Sequence, residues 1–510
     1  MMFIKVSSAA LIGIDAYEVE IEVNEGSNNP KVVIVGLPDA AVRESRDRFF
    51  TAMMNSGFVT PKGHTTINLA PADLKKEGPS FDLPIAVAAI GLRSDYVKNP
   101  NDYMIAGELS LDGKVRPIKG ALSITLEARR LGKHGVILPE SNALEAGRVS
   151  GIDVYGVPTL RDAFELLMGE SMIQPVGLES FDDQDTVDYT VDFSEVKGQV
   201  HVKRAIEVAV AGGHNLLMIG PPGTGKSMLA KRIPTIMPRM SEDEAIGVTK
   251  IHSICGMLDK EVGFLTTRPF RSPHHTISDA GLLGGSSNPH PGEISLAHHG
   301  VLFLDELPEF RRSTLEVLRQ PLEDGKVTIS RAAGSMTFPA EFMLVAAMNP
   351  CPCGYYGDLK RECRCGPVQV QRYRQRISGP LLDRIDLHVE VPLIDYKELA
   401  TSEAGEASVV IRERVERVRA LQRERFADDW GVATNSAMNP KDLKKWCQLD
   451  KEGGEYLDHA MNEMDFSARA YDRILKVART LADLDAEEKI LANHVLEGIQ
   501  YRSLDRDLWS

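Results

Sequence analysis

The fold of this chain is decided by the stretch Gly220-Pro221-Pro222-Gly223-Thr224-Gly225-Lys226-Ser227. It fits the pattern G-x-x-x-x-G-K-[ST], in which a glycine-rich turn curls its backbone N–H groups around an anion. The apolar residues 216–219 ahead of it predict a short buried strand, and residues 228–232 behind it predict the start of a helix. Strand, turn and helix together predict a phosphate-binding loop at the N-terminus of a helix.

Two side chains in this loop carry chemistry. Lys226 can reach the β- and γ-phosphates of ATP, and the Ser227 hydroxyl can hold Mg²⁺. The alternative, a glycine-rich turn that binds nothing, would not require the flanking strand and helix. We therefore expect nucleotide contacts from the whole loop: Gly220, Pro221, Pro222, Gly223, Thr224, Gly225, Lys226 and Ser227.

Composition places the chain among cytoplasmic proteins with packed cores. Its 510 residues suffice for about three domains. No run of 18 apolar residues is present, so we expect no membrane span. Six cysteines without a clear secretory signal indicate a reducing compartment. The net charge of −14 excludes a surface that is basic throughout but allows a local basic channel.

The N-terminal part, residues 1–169, has an α+β pattern. Alternation in residues 17–23 predicts that residues 1–23 are a hairpin of the mature protein rather than a signal peptide. Further strands are predicted at 31–35 and 65–69, and helices at 39–55, 82–90 and 120–131. An acidic connector is expected over residues 170–192, because residues 179–195 hold seven acidic and no basic side chains.

Part of this N-terminal region resembles the Lon protease domain. The resemblance is carried by residues 76–82, by residues 107–118 and by Val136-Ile137-Leu138-Pro139. Ser80 stands where Lon-type proteases keep their nucleophile, but Leu122 stands where that family has its lysine. Lys119 is three residues away, on a different helix face. Because a serine needs an adjacent base, we expect no peptidase activity and interpret Ser80 as the N-cap of the helix from Asp82.

Two further apolar strands end in polar side chains. Val301-Leu302-Phe303-Leu304 leads into Asp305 and Glu306, which fits the Walker B element: Asp305 would bind Mg²⁺ and Glu306 would polarise the attacking water. Residues 342–348 form a second apolar run that ends at Asn349. A polar side chain at that place matches the sensor 1 position, which helps to orient the hydrolytic water.

A long loop or insertion is expected between these motifs, over residues 271–292. Its histidines, with His298 and His299, raise the possibility of a metal site, but their spacing matches no known one, so loop contacts to a partner are the preferred interpretation. Residues 325–340 alternate, turn at a glycine-containing loop and alternate again, which predicts a β-hairpin.

Four cysteines fall within fifteen residues, at Cys351, Cys353, Cys363 and Cys365. Four thiolates can complete a tetrahedral Zn²⁺ site. The C-x-C spacing is tighter than the usual C-x₂-C, and unligated cytosolic thiols are the alternative. The sequence alone leaves both interpretations open.

Arginines occupy two further motif positions. Arg384, in Leu381-Leu382-Asp383-Arg384-Ile385-Asp386-Leu387, stands just before an apolar strand, where AAA+ rings keep the finger that reaches a neighbour's γ-phosphate. Arg469 opens a helix predicted to run to Leu484, which resembles the sensor 2 helix of the AAA+ lid. Arg473 is the second candidate for that role. An exposed arginine in a salt bridge is the alternative.

With these motifs the chain resembles the ComM/YifB branch of the magnesium-chelatase-like AAA+ ATPases over almost its whole length. The specific signals are Arg271-Ser272-Pro273-His274-His275, Asn349-Pro350-Cys351-Pro352-Cys353-Gly354 and residues 381–387. The resemblance implies an α/β P-loop ATPase core at 193–395, a helical lid at 396–510 and a Lon-like α+β domain at 1–169. It also implies a homo-hexamer that uses ATP and Mg²⁺ to move branched or single-stranded DNA during natural transformation and recombination.

Three functions are therefore considered. The first is a hexameric DNA helicase or branch-migration motor, in which Lys326 and Arg331 of the hairpin and Arg268 and Arg271 of the insertion would point into a pore. The second is an AAA+ remodeller of a protein partner, such as a magnesium-chelatase-like ATPase subunit. The third is an ATP-dependent peptidase, which the missing lysine disfavours.

Overall fold

The computed structural model describes residues 2–26, 31–94, 96–177, 189–259, 263–285, 289–331, 334–358, 361–393, 405–427, 432–464 and 466–504. The chain divides into two compact units. One combines Met1–Asp185 with Glu242–Leu265, and the other combines Thr186–Ser241 with Thr266–Ser510. Segment 242–265, which the sequence analysis counted within the ATPase core, is thus grouped with the first unit. Residues 178–188 of the predicted acidic connector lie outside the described residues.

The first unit is built on a seven-stranded mixed sheet. Its strands are β1 Met2–Ile12, β2 Asp15–Gly26, β3 Lys31–Val35, β4 His64–Ala70, β5 Tyr103–Ile105, β8 Gly135–Pro139 and β9 Asp153–Val157, and a separate two-stranded ribbon joins β6 Glu108–Leu109 to β7 Val115–Arg116. The order across the sheet is β3-β4-β2-β1-β5-β8-β9. The predicted hairpin is confirmed, because β1 and β2 pair antiparallel over their full length. Parallel pairs flank this hairpin, with β5, β8 and β9 on one side and β3 beside β4 on the other.

Helices cover this sheet, and the most buried is Asp82–Gly91. Its first nine residues are all buried, as a nearly all-apolar sequence requires. Phe81, and not Ser80, is its N-cap residue, so the predicted capping role of Ser80 is wrong: Ser80 lies in a short 3₁₀ turn, Pro79–Phe81. The helices of the first unit are Ala40–Asn55, Asp82–Gly91, Ala121–Arg130, Ala143–Ala146, Leu160–Met168 and Glu242–Cys255.

The second unit contains a five-stranded parallel sheet. Its strands are β10 Leu216–Ile219, β11 Phe270–Arg271, β12 Val301–Leu304, β15 Met343–Met348 and β16 Leu387–Glu390. They lie side by side in the order β11-β12-β15-β10-β16. The three central strands are buried along their whole length, as continuous apolar runs between helical layers should be. This arrangement is consistent with the AAA+ α/β fold predicted from sequence.

The remaining elements of this unit are a hairpin and many helices. The predicted hairpin is confirmed, with β13 Lys326–Arg331 paired antiparallel to β14 Gly334–Pro339. The insertion at 271–292 holds a short helix rather than loop alone. The helices are Val200–Gly212, Lys226–Ile236, Asp279–Leu283, Glu293–Leu296, Arg312–Glu316, Arg319–Asp324, Pro367–Arg374, Gly379–Leu382, Ser408–Arg425, Pro440–Trp446, Lys451–Glu463, Ala468–Leu484 and Ala492–Gln500.

Across the described ranges, no helix combines the length and apolar character needed to cross a bilayer.

Candidate active site

The phosphate loop connects strand β10 to the helix that begins at Lys226, as predicted. Gly223 and Gly225 have φ angles of 82° and 88°, in the left-handed region that glycine tolerates best. A Cβ at Gly220 would lie 2.2 Å from the main-chain oxygen of Val391, so this glycine is needed for close packing. The loop is held from outside by Gln199, whose Nε2 donates to the Thr224 oxygen at 3.0 Å.

Lys226 lies inside this loop with only 8% of its surface exposed. Its ammonium group donates to the main-chain oxygens of Gly220 at 2.7 Å and Pro221 at 2.9 Å. Burial lowers the pKa of Lys226. A buried ammonium group that donates to neutral carbonyl oxygens keeps an uncompensated positive charge, so it is well suited to bind a negatively charged phosphate.

Asn349 follows β15 and lies at the carboxyl edge of the sheet, where the phosphate loop also lies. Its Oδ1 accepts a hydrogen bond from Lys226 Nζ at 3.3 Å. Parallel strands present their carboxyl ends at one edge, and β15 is the neighbour of β10. The structure thus brings the predicted sensor 1 residue to the predicted phosphate-binding lysine.

Asp305 follows β12, the strand on the other side of β15, and it meets Ser227 at the same edge of the sheet. Ser227 Oγ donates to Asp305 Oδ2 at 2.6 Å, and Asp305 Oδ1 accepts from the backbone N–H of Glu306 at 2.9 Å. A hydroxyl and a carboxylate are oxygen ligands of the kind that Mg²⁺ prefers. These two residues therefore fit a magnesium ion placed beside the phosphates.

Glu306 is the exposed acid of this group. Its φ of 53° is unusual for a residue other than glycine, and its carboxylate lies 3.3 Å from Nδ1 of His275. Sequence reasoning missed this partner, because it interpreted the histidines of the insertion only as metal ligands or partner contacts. The proximity depends on the parallel pairing of β11 with β12, which a spacing rule along the chain cannot show.

The four cysteines converge on one point. Sγ of Cys351 lies 3.4 Å from that of Cys353 and 3.7 Å from that of Cys363, and Cys353 and Cys363 are 3.6 Å apart. With Cys365, all four sulfur atoms lie within 4.8 Å of one another. Backbone N–H groups of Tyr355 and Arg364 lower the pKa of Cys353 to about 6. Elsewhere in the described ranges, no other cluster of metal-ligand side chains is found.

Arg384 and Arg469 lie at a different place. Arg384 precedes β16, and its main-chain oxygen accepts from Asn215 Nδ2 at 2.9 Å, directly before β10. Its guanidinium group pairs with Glu323. Arg469 lies 3.5 Å from Asp383. A cavity of about 140 Å³ joins the two arginines, and it is lined by Glu323, Asp383, Arg384, Arg469, Asp472, Arg473 and Lys476.

Arg384 and Arg469 lie at the amino-terminal edge of the parallel sheet, whereas the phosphate loop lies at its carboxyl edge. The strands between them have four residues, so the two edges are ~13 Å apart along the strands. Arg473, the second candidate for the sensor 2 role, forms an ion pair with the buried Asp386 at 2.7 Å. Arg469, with a more exposed side chain, remains the better candidate for a nucleotide contact.

The arginines predicted to line a pore have internal partners. Arg271 forms a two-point ion pair with Glu293, at 2.6 and 2.7 Å. Arg268 donates to the main-chain oxygens of Pro238 at 2.5 Å and His299 at 2.7 Å. Both guanidinium groups thus have partners within the chain, and their placement at a pore stays a prediction.

The hairpin has one polar exposed face. Lys326, Thr328 and Ser330 on β13 and Ser335 and Thr337 on β14 share it, while Val327, Ile329 and Phe338 are buried. Opposite hydroxyl groups pair across it, Thr328 with Thr337 at 3.0 Å and Ser330 with Ser335 at 3.1 Å. The side chain of Arg331 lies outside the described part of the chain.

Family comparisons cover most of the chain. The model described as "Magnesium chelatase, subunit ChlI" matches residues 192–399. "Subunit ChlI of Mg-chelatase" matches residues 19–142, and "Magnesium chelatase, subunit ChlI C-terminal" matches residues 405–502. All three regions therefore point to the same group of proteins.

Full-length relatives agree with these matches. The competence protein ComM of Haemophilus influenzae is 42% identical over 509 residues, with 98% of this chain and 97% of the relative covered. An uncharacterized protein YifB of Escherichia coli is 41% identical over 507 residues, with the same coverage. A Lon protease of Koribacter versatilis is 31% identical over 108 residues, which cover 20% of this chain and 13% of that protein.

Proposed function

Because the chain belongs to the ComM/YifB group of magnesium-chelatase-like AAA+ proteins, we propose that it hydrolyses ATP with Mg²⁺ at the loop of residues 220–227. One observation carries this proposal: direct hydrogen bonds join Lys226 to Asn349 and Ser227 to Asp305 at one edge of a parallel sheet. Bound Mg²⁺ would neutralise phosphate charge there. Residues 193–395 would form the ATPase core.

Each site residue would then have one task. Lys226 binds the β- and γ-phosphates, while Ser227 and Asp305 hold Mg²⁺ directly or through water. Glu306 accepts a proton from the attacking water, and Asn349 orients that water.

Arg384 and Arg469 would act on a neighbouring subunit. Both lie at the edge of the sheet opposite to the phosphate loop, so neither is placed to reach the nucleotide of its own chain. A ring of subunits would put this edge against the next subunit's phosphate loop, where Arg384 stabilises charge that develops on the γ-phosphate. We therefore propose a homo-hexamer with shared sites, in which residues 396–510 form the lid that carries Arg469.

We infer further that the ring is a cytoplasmic DNA helicase or translocase that promotes branch migration during natural transformation and recombination. The name of the Haemophilus influenzae relative, competence protein ComM, supports this proposal. The exposed hairpin face offers one ammonium group and four hydroxyl groups, which are donors that commonly bind phosphate oxygens. Arg268 and Arg271 are not part of this proposed contact.

The experiment that tests this function is the ATPase rate alone and with single-stranded, duplex or branched DNA, at two salt concentrations. We expect stimulation by single-stranded or branched DNA that fades at high salt, because phosphate contacts release counterions. Lys326→Ala should weaken the stimulation, whereas Lys451→Ala, an exposed lysine on the helix Lys451–Glu463, should not. An ATPase rate that none of the three kinds of DNA changes would contradict the proposed DNA motor.

The second candidate is an ATPase that remodels a protein partner, such as a magnesium-chelatase-like subunit. The observation in its favour is that all three matched family models describe a magnesium chelatase subunit. ATPase stimulation by a captured protein partner, with the Glu306→Gln variant as the trap, would favour it over the DNA motor.

The N-terminal domain and the cysteines complete the proposal. Residues 1–169 are proposed to be a Lon-like domain without peptidase activity, since the buried, apolar Leu122 stands at the position of the family's lysine. We also propose that Cys351, Cys353, Cys363 and Cys365 bind one Zn²⁺. For a tetrahedral ion with Zn–S bonds of about 2.3 Å, neighbouring sulfur atoms are about 3.8 Å apart, close to the 3.4 to 3.7 Å found here.

A further inference from the structure

We propose that the four-cysteine cluster, with its zinc ion, is a support for the phosphate loop, so that metal binding there sets the affinity for nucleotide. The inference rests on the proposed ATP site. It assigns to the metal a role beyond holding its own loop together. Three separate contacts around the cluster carry it.

The first contact is between Gly354 and Pro222. Gly354 follows the ligand pair Cys351 and Cys353, and a Cβ placed on it would lie 2.5 Å from Cδ and 3.1 Å from Cγ of Pro222. Its backbone therefore lies directly against the phosphate loop. Its N–H donates to the main-chain oxygen of Cys351 at 3.0 Å, so the turn that touches Pro222 is closed by a ligand residue.

The second contact runs through Asn349. This residue accepts from Lys226 Nζ at 3.3 Å and precedes Cys351 by two positions. Cys351 itself is fully buried. A metal ion that fixes Cys351 therefore limits how far Asn349 can move from the lysine.

The third contact comes from the helix Pro367–Arg374, which follows the second ligand pair. Arg374, 8% exposed, donates through Nε to the main-chain oxygen of Pro350 at 3.2 Å. Its guanidinium group also lies 5.0 Å from the ring centre of Tyr356. The segment between Asn349 and this helix is thus held at both ends, and the cysteines cross-link its middle.

The physical consequence follows from conformational entropy. Four thiols that share no ion do not hold residues 351–365 in one arrangement, because each contact between them is weak. One tetrahedral ion closes the segment on itself. The surface that Gly354 offers to Pro222 is then rigid, and the phosphate loop loses less freedom when it closes on nucleotide.

The test separates metal binding from contact with the loop. The full-length protein is purified, its zinc content is measured by mass spectrometry, and its affinity for a fluorescent ADP is titrated with Mg²⁺ present. Gly354→Ala should keep about one zinc per chain yet bind ADP at least about tenfold more weakly, since the new Cβ displaces Pro222. Gly357→Ala is the matched control: Gly357 has φ 80°, close to the 86° of Gly354, but an added Cβ there meets nothing within 4 Å.

Two further variants complete the design. Cys353→Ser should lower both zinc content and ADP affinity. In the Gly354→Ala background, Pro222→Ala removes the clashing Cγ and Cδ atoms and should restore part of the affinity, which general misfolding would not allow. If Cys353→Ser does not fold, wild-type protein stripped of zinc with a chelator is titrated with ADP instead. ADP affinity that stays at the wild-type level after zinc is lost, by either route, would overturn the proposal.

The outcomes are distinct. Wild-type protein without zinc, or Gly354→Ala protein that binds ADP as tightly as wild type, would overturn the support role. A Gly357→Ala variant as weak as Gly354→Ala would also overturn it, because strain alone would then explain the loss. Wild-type protein that holds zinc but binds no nucleotide would overturn the proposed ATPase itself.

Discussion

Asn215 donates a hydrogen bond to the main-chain oxygen of Arg384 at 2.9 Å, and the strand that follows Asn215 ends in the phosphate loop. This contact fixes Arg384 at the amino-terminal edge of the sheet. Asn215 Oδ1 also accepts from the N–H of Leu344 at 2.9 Å, so three neighbouring strands are joined at that edge. In the ring proposed above, an arginine held there would face the nucleotide of a second subunit.

The first prediction concerns this arginine. Arg384→Ala should lower the ATPase rate by at least about a hundredfold, because an arginine finger stabilises charge in the transition state. Nucleotide binding should change much less. The measurement is the steady-state ATPase rate, and Arg423→Ala, an exposed arginine on the helix Ser408–Arg425, should behave as wild type.

Mixing two inactive variants tests whether the site is shared. Lys226→Ala lacks the phosphate-binding lysine and Arg384→Ala lacks the finger, yet a mixed ring has an intact pair at about a quarter of its interfaces. The mixture should therefore be more active than either variant alone. If the subunits exchange and activity stays absent, a finger supplied by the neighbour is ruled out.

The second prediction separates binding from hydrolysis. Glu306→Gln keeps the size of the side chain but cannot accept a proton, so it should bind ATP normally and hydrolyse it about a hundredfold to a thousandfold more slowly. Lys226→Ala should instead lose nucleotide binding. Equilibrium titration and single-turnover hydrolysis distinguish the two. Normal turnover by Glu306→Gln would show that another group activates the water.

The third prediction concerns magnesium. Asp305→Asn weakens one of the two proposed oxygen ligands and should shift the Mg²⁺ dependence of ATPase activity to higher concentration. Its hydrogen bond from Ser227 can persist, since the amide oxygen still accepts. A Mg²⁺ titration at saturating ATP measures the shift. An unchanged midpoint would place the ion elsewhere.

The fourth prediction is a pH effect on stability. Burial, followed by the charge of neighbouring His299, lowers the pKa of His298 from 6.5 to about 3. The folded protein therefore binds this proton less readily than the unfolded chain does. The stability contributed by neutral His298 is complete above about pH 6.5 and is lost as the pH falls toward 3; the loss should be about 2 to 3 kcal/mol at pH 4.5.

His298→Asn provides the control for this effect. The backbone N–H of Glu341 donates to His298 Nδ1 at 3.1 Å, and an asparagine oxygen can accept the same bond without titrating. Thermal unfolding at pH 7.5 and pH 4.5 measures the difference. The variant should lose less stability on acidification than wild type, and equal losses would assign the effect to other groups.

The sequence by itself determined the local elements of the site. The phosphate loop, the strand that precedes Asp305 and the hairpin at 326–339 are each specified by residues close together in the chain, because turn glycines and apolar periodicity act locally. Strand β15, with Asn349 behind it, was predictable for the same reason. The resemblance carried by these motifs also identified the family.

The motifs predicted that Lys226, Asp305 and Asn349 serve one nucleotide, but only the tertiary structure decided which atoms meet. The strand order puts Asn349 and Asp305 beside the phosphate loop and Arg384 at the far edge, and the pairing of β11 with β12 brings His275 to Glu306. Contacts such as Arg271 with Glu293 and Gly354 with Pro222 likewise depend on how the elements pack. Packing is set by the summed burial of many residues that are distant in sequence, so no local pattern encodes it.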